Sequence, residues 1–320
     1  MSAASDRGTL QGKARRAARA AVGLARPSTR KRYVAAVRKH LRDRAEDAGD
    51  PTETCLVCGT GRPRRRTIRF VKDPTWVCVV RICRSCGHVG NPDNTRDYRN
   101  LEGLEKFPMR ARVGTETRQG REFHMAKMAA QILKRDDLDV LVYGAGRSLD
   151  NRHIAELPRV RDVAIGDVMH LRDDAEFVDI NEPPSRRFSV VIACEVIEHF
   201  PNPAEEFPRL LDFVDESGLL VCSTNIYEGG DLEHQRYVFI KGHTAYYTPE
   251  ALVHIARANG HHIDFRLPLV ATGYGGKRKR YVFFTRDASL LPEIAGYFGR
   301  HMYAPSEGPW ANKELASPNP

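Results

Sequence analysis

The sequence predicts an α/β protein with a mainly parallel sheet, preceded by a helical segment and a small cysteine-rich module. Three observations lead there. Five short apolar runs between Asp139 and Asn225 alternate with helical patterns, the arrangement of crossover helices on a parallel sheet. Two later runs have no helix between them, so they are expected to close one edge as an antiparallel pair. Five of the seven cysteines fall within 32 residues ahead of all these strands.

Taken in order, residues 1–50 are rich in Ala and Arg. "GKARRAARAAVGLA" stops at Pro27, and Ser28 can cap a second run in which Tyr33, Val34, Val37 and Leu41 recur at helical spacing. Residues 51–92 hold two Cys-x-x-Cys-Gly knuckles, Cys55/Cys58 and Cys83/Cys86, separated by 24 residues with the strand-like runs "TIRFV" and "WVCVVRIC". Zinc takes four soft ligands in a tetrahedron, and two knuckles supply four thiolates, so a structural zinc-ribbon-like module is expected, with Cys78 and His88 as alternative ligands. Residues 93–119 are polar, contain several Arg and read as a linker. From residue 120 an amphipathic helix, "GREFHMAKMAAQILKR", leads into the runs 139–144, 162–167, 175–180, 189–196 and 218–225. Thr248 caps the helix "TPEALVHIARANG", Pro249 begins it and Gly260 ends it. "HIDFRLPLV" and "RYVFFTRD" form the antiparallel pair, "GYGGKRKR" reads as a solvated basic loop between them, and residues 291–320 remain as a tail.

The formal charge of +9 is unevenly spread. Residues 1–110 carry 25 Lys/Arg against 11 Asp/Glu, and residues 111–320 carry 25 against 30. The basicity therefore belongs to the first third, whose helical run reads first as a solvated helix with one packed stripe and second as an arm for a nucleic acid such as RNA or a membrane surface. No apolar run reaches membrane-spanning length and no signal-peptide core opens the chain, so a cytoplasmic protein is expected.

Chemistry concentrates at the ends of the predicted strands. Gly144 and Gly146 follow the first, where a turn enters a helix and backbone N–H groups face a ligand. Asp167 ends the second, 23 residues after Gly144, where a carboxylate can accept both hydroxyls of a ribose. Asp179 ends the third beside Ile180, a pair suited to an adenine. The fourth, Val190–Cys194, runs directly into Glu195, Glu198 and His199 and is then stopped by Pro201 and Pro203. In a helical turn, offsets of three and four would put those three side chains on one face.

In sequence, "VLVYGAG", "VAIGD", "FVDI", "FSVVIACEVIEHFPNP" and "HTAYYTPEALVHIARANGHHI" resemble the class I S-adenosylmethionine-dependent methyltransferases, over residues 120–286. The group with an "EVxEH" signature, which includes ubiquinone-type, sugar and natural-product methyltransferases, is the nearest in look. The resemblance implies a Rossmann-like seven-stranded methyltransferase sheet over residues 120–290. It also implies a cofactor site in which Gly144 and Gly146 meet the methionine end, Asp167 the ribose, Asp179 and Ile180 the adenine, and Cys194 the floor. Three positions depart from the pattern: Val142 stands where an acidic residue is usual, Ser148 replaces a frequent third glycine, and Ser189 replaces an aspartate.

Methyl transfer to a hydroxyl needs in-line positioning and removal of a proton, so His199 is a candidate base, with Glu198 and Glu195 beside it. The same three residues with His243 could instead hold a divalent cation, as in the small-RNA 2′-O-methyltransferases that "EVIEH" and a later His resemble. On a third reading Glu198 and His199 only cap and orient the loop. Tyr227, Tyr246 and Tyr247 are expected to wall the acceptor pocket. The function expected first is O-methylation of a small molecule or glycan, with zinc in the cysteine module. Methylation of RNA, or binding without turnover on a degenerate domain, are the alternatives.

Overall fold

The computed structural model describes residues 52–99, 113–269 and 278–299. They belong to one compact unit within Pro51–Pro320. The two basic helices expected in 1–50, most of the loop 273–280, part of the linker and the end of the tail lie outside the described residues.

A seven-stranded sheet organises the unit. In chain order its strands are β4 (Leu138–Tyr143), β5 (Val160–Asp167), β6 (Glu176–Asp179), β7 (Phe188–Cys194), β8 (Val214–Asn225), β10 (His262–Arg266) and β11 (Lys279–Thr285). Their spatial order is β10-β11-β8-β7-β4-β5-β6. β6, β5, β4, β7 and β8 pair in parallel. β11 runs antiparallel to both β8 and β10, as the helix-free pair of runs predicts. The central strands β4, β7 and β8 carry continuous buried apolar runs because both faces are covered. On one face lie α1 (Arg121–Leu133), α2 (Asp150–Ala155) and α6 (Leu290–Phe298), through Met125, Met128, Ile154, Ile294 and Phe298. On the other lie α3 (Pro203–Asp212) and α5 (Pro249–Ala258), through Phe207, Leu210, Leu252 and Ile255. α6 was not foreseen: Leu290, Ile294 and Phe298 are buried, and they begin a segment read from sequence as tail.

A second sheet is built from β1 (Arg64–Phe70), β2 (Asp73–Ile82), β3 (Val89–Gly90) and β9 (Ala245–Tyr246), in that order. β9 comes from the chain between β8 and α5, so the chain that builds the large sheet also supplies the last strand of the cysteine-rich module's sheet. Asn91 N–H donates to the Thr244 carbonyl at 2.7 Å, and the Asn91 amide donates to the Val238 carbonyl at 3.0 Å. Asn94 grips the carbonyls of Ile240 and His243 at 2.7 and 3.0 Å. Buried backbone groups need such partners. Here they fix residues 240–244, where His243 stands, against the cysteine-rich module.

Two readings are corrected by the fold. Lys279 and Arg280, expected in a solvated loop, are buried residues of β11, 9% and 4% exposed. Tyr246 and Tyr247, expected as pocket walls, are buried; their hydroxyls donate to the Ile226 and Ile197 carbonyls at 3.3 and 2.9 Å, and Tyr227 donates to the Gly230 carbonyl. Aromatic rings with a satisfied hydroxyl serve as core here, supporting the turn at Ile197 from below.

Candidate active site

The strand order reverses between β4 and β7, and ligands of open α/β sheets bind outside the carboxyl ends of the strands at such a point. A cleft of about 430 Å³ lies there. It is lined by Gly144 and Gly146 after β4, Asp167 and Val168 after β5, Ile180 and Asn181 after β6, and Glu195, Val196 and His199 after β7. That volume is in the range of small-ligand sites.

Gly144 and Gly146 turn sharply at positive φ, 69° and 53°. A Cβ on Gly144 would stand 2.6 Å from a Val196 methyl, whereas one on Gly146 would meet nothing within 4 Å. Gly144 is therefore required by packing against the loop after β7, and the space at Gly146 is open. The Asp167 carboxylate accepts the N–H of Gly146 at 2.8 Å and of Val168 at 2.7 Å. Burial raises its pKa against those two bonds. Asp179 is exposed and folds back on Asn181, accepting its N–H at 2.9 Å and its amide at 2.6 Å, so Ile180 and Asn181 reach the cleft and Asp179 does not line it. Cys194 is buried in the core beneath, where it accepts from the Ser223 hydroxyl at 3.4 Å, and it too is absent from the lining.

Beyond β7 the backbone does not enter a regular helix. Glu195 sits at φ 58°, a left-handed conformation that strains any residue but glycine, and Ile197–His199 form a single 3₁₀ turn. The expected common face is broken as a result. Glu195 turns to Lys279, which donates to both carboxylate oxygens, to the Ser223 hydroxyl at 2.9 Å and to Arg121 at 3.4 Å. Glu198, His199 and His243 form a separate group whose candidate ligand atoms all lie within 4.8 Å of one another. The Thr244 N–H donates to the Glu198 carbonyl at 2.9 Å, which is how the chain after α4 (Arg236–Phe239) brings His243 to this group.

Glu198 is 1% exposed, and neither carboxylate oxygen has a hydrogen-bond partner; His243 Nδ1 is likewise buried and unpaired. Such groups cost about 1–3 kcal/mol or more each unless something occupies them. Burial raises the Glu198 pKa, and Glu195 adds to the rise. Burial, reinforced by His199, holds His243 down to about 3 and so neutral at ordinary pH. A carboxylate and two imidazoles form a donor set that suits a divalent cation.

Sequence reasoning missed several residues of the site. Lys279 and Arg121 lay in segments read for other roles. Thr95, Arg96 and Tyr98 line the cleft from the stretch read as linker, and nothing in its polar composition marks them.

The four cysteines converge as their spacing predicts. Cys55 and Cys86 sulfurs are 3.7 Å apart, Cys58 and Cys83 3.5 Å, and all four lie within 4.8 Å of one another. These separations exclude disulfides and suit a shared tetrahedral ion. The N–H groups of Val57, Ser85 and Cys86 point at sulfur at 3.3–3.4 Å, an arrangement that favours thiolates. Cys78 and His88 are outside the group.

Residues 116–264, a little under half of the chain, match the family model described as methyltransferase domain. No curated protein matches the chain. Among solved structures, the chain is similar to a Burkholderia thailandensis 1,6-didemethyltoxoflavin-N1-methyltransferase, with 17% identity over 51% of this chain and 76% of that one and a TM-score of 0.38. It is also similar to the plantazolicin methyltransferase in complex with SAH, at 14% identity, 51% and 81% coverage and TM-score 0.39. Human N-acetylserotonin methyltransferase in complex with SAM shows 12% identity, 52% coverage of each chain and TM-score 0.39. Residues 116–264 are thus similar to a methyltransferase domain. No helix among the described residues is long and apolar enough to cross a membrane.

Proposed function

We propose that the protein transfers the methyl group of S-adenosylmethionine to a hydroxyl oxygen of a small molecule or glycan. The observation that carries this is the trio Glu198, His199 and His243, with its unpaired carboxylate and imidazole, beside a cleft floored by the Gly144–Gly146 turn and Asp167. In this reading the open space at Gly146 receives the methionine end of the cofactor, Asp167 accepts the ribose hydroxyls, and Ile180 and Asn181 flank the adenine. The carbon–sulfur bond breaks as the carbon–oxygen bond forms, S-adenosylhomocysteine leaves, and the hydroxyl proton must be taken up. His199 suits either of two roles, base or ligand, and the unpaired Glu198 and His243 beside it favour the ligand role. A divalent cation, when bound, lowers the pKa of an acceptor hydroxyl. Glu195 serves a different purpose: it anchors the loop to Lys279 and Arg121. The cysteine module 51–92 holds a structural zinc and, through β9, helps to shape the acceptor side.

The test incubates the purified protein and methyl-labelled S-adenosylmethionine with an extract of its host lacking the gene, then separates RNA, glycan-plus-lipid and small-molecule fractions. Label is expected in the glycan or small-molecule fraction, lost on chelation and restored by magnesium or manganese. Label confined to RNA, or none at all, contradicts the proposal.

A further inference from the structure

The stretch after the cysteine module passes directly over His199. The Tyr98 hydroxyl lies 2.6 Å from His199 Nδ1, and the Gly242 carbonyl lies 2.9 Å from the same nitrogen. A carbonyl oxygen can only accept, so the contact requires a proton on Nδ1. That proton is shared by the two oxygens, and no hydrogen bond among the described residues engages Nε2. The junction is crowded by design of the sequence: a Cβ on Gly242 would stand 2.2 Å from the Tyr98 oxygen and 3.3 Å from His199 Nδ1. Only glycine admits the phenol here.

Both partners are held from outside the turn that carries His199. Gly242 N–H donates to the Asn94 carbonyl at 2.9 Å, and Arg99 donates to the Asn181 side chain at 2.9 Å, so the stretch is pinned on either side of Tyr98. The Arg96 guanidinium lies 5.9 Å over the Tyr98 ring.

We propose that Tyr98 is a positioning residue that, with the Gly242 carbonyl, holds His199 in the Nδ1–H tautomer and presents Nε2 to the site. An imidazole acting as ligand or base is oriented by the hydrogen bond its other nitrogen makes, and here that bond comes from the segment tied to the cysteine module. The inference rests on the proposed role of His199 and adds what makes that role available.

The experiment labels the full chain with ¹⁵N-histidine and records the ring nitrogens, with His199 identified by its disappearance in His199→Gln. Without added divalent cation, the wild type is expected to show His199 protonated at Nδ1 with a bare Nε2. Tyr98→Phe leaves the Gly242 carbonyl as the one acceptor for the Nδ1 proton, so it is expected to shift the Nδ1 resonance and to lower kcat about tenfold with little change in KM, while S-adenosylhomocysteine still binds. A wild-type His199 protonated at Nε2, or a Tyr98→Phe spectrum identical to wild type, overturns the proposal. Should Tyr98→Phe fail to fold, the wild-type tautomer alone decides. Failure of the methyltransferase reading would appear separately, as absent S-adenosylhomocysteine binding with the His199 spectrum unaffected.

Discussion

Glu195 and Glu198 stand three positions apart and live in opposite electrostatic surroundings. Burial works against charge on Glu195, yet the Lys279 ammonium and the Arg121 guanidinium overcome it and hold the carboxyl down to about 2. That pairing stabilises the fold at neutral pH, and its contribution is lost as pH falls from the ordinary glutamate range toward 2. At Glu198 burial and the Glu195 charge outweigh His199 and Lys279, and the carboxyl is raised instead. A third carboxyl, Glu122 at the start of α1, is buried beside Asp150 and accepts from the Ser148 hydroxyl at 3.1 Å. Burial, then the Asp150 carboxylate, pushes it up to about 8, with the Arg121 charge opposing. A folded pKa above the unfolded value means that stability is full below the unfolded pKa, near 4.5, and declines as pH rises through 8. Glu122→Gln keeps the shape and removes the titration. Its melting temperature at pH 8 is therefore expected to exceed wild type by about 3 °C or more, with the difference shrinking toward pH 5. Equal slopes of melting temperature against pH in the two proteins would show that Glu122 does not carry this dependence.

At the level of elements, one threonine serves both the cysteine module and α5. The Thr248 hydroxyl accepts from Ala251 N–H at 3.1 Å as the helix cap and donates to the Cys86 carbonyl at 2.5 Å, while its methyl fills the space where a Cβ on Gly87 would fall, 2.8 Å away. Gly87→Ala therefore meets both a clash and a left-handed backbone, with an expected cost of about 2 kcal/mol. Thr248→Ser keeps the cap and removes the methyl, at about 0.5–1 kcal/mol. The double variant relieves the clash, so denaturant melts are expected to show less loss than the two single costs together, by about 0.5 kcal/mol or more. Strict additivity would place the strain of Gly87→Ala in the backbone alone. The cap itself was legible in sequence, because Thr-Pro-Glu before an apolar run has a local cause. So were the strands, since burial on both faces writes a continuous apolar run, and so was the cysteine cluster, whose spacing is set by the knuckle. What stayed hidden depends on long-range geometry. The left-handed Glu195 breaks the face that helical offsets would give it, β9 pairs with a strand more than 150 residues earlier, and Tyr98 reaches His199 from 101 residues away.

For the molecule as a whole, the question is whether the cysteine module is an appendage or part of one cooperative structure. Cys55, Val57, Cys83 and Cys86 belong to the same buried cluster as Tyr247, Leu252 and the α3 and α5 face of the large sheet. The second sheet has its fourth strand from the chain that carries His243, and Asn91 and Asn94 tie that chain to β3 by side-chain bonds. A metal that binds four thiolates only in the folded arrangement contributes its binding free energy to folding. Because the cluster, the two sheets and the His243 segment share contacts, that contribution stabilises all of them together. Cys55→Ser with Cys58→Ser is therefore expected to remove one zinc per chain in native mass spectrometry and to lower the melting temperature of the entire unit by roughly 10 °C or more. Calorimetry is expected to show a single transition in both proteins. An early transition confined to the variant, with the main transition unmoved, would mean that the module unfolds alone and that β9 does not couple it to the site. In the coupled case the variant's His199 and His243 ring resonances should also broaden, because the segments that hold them are fastened to the cysteine knuckles.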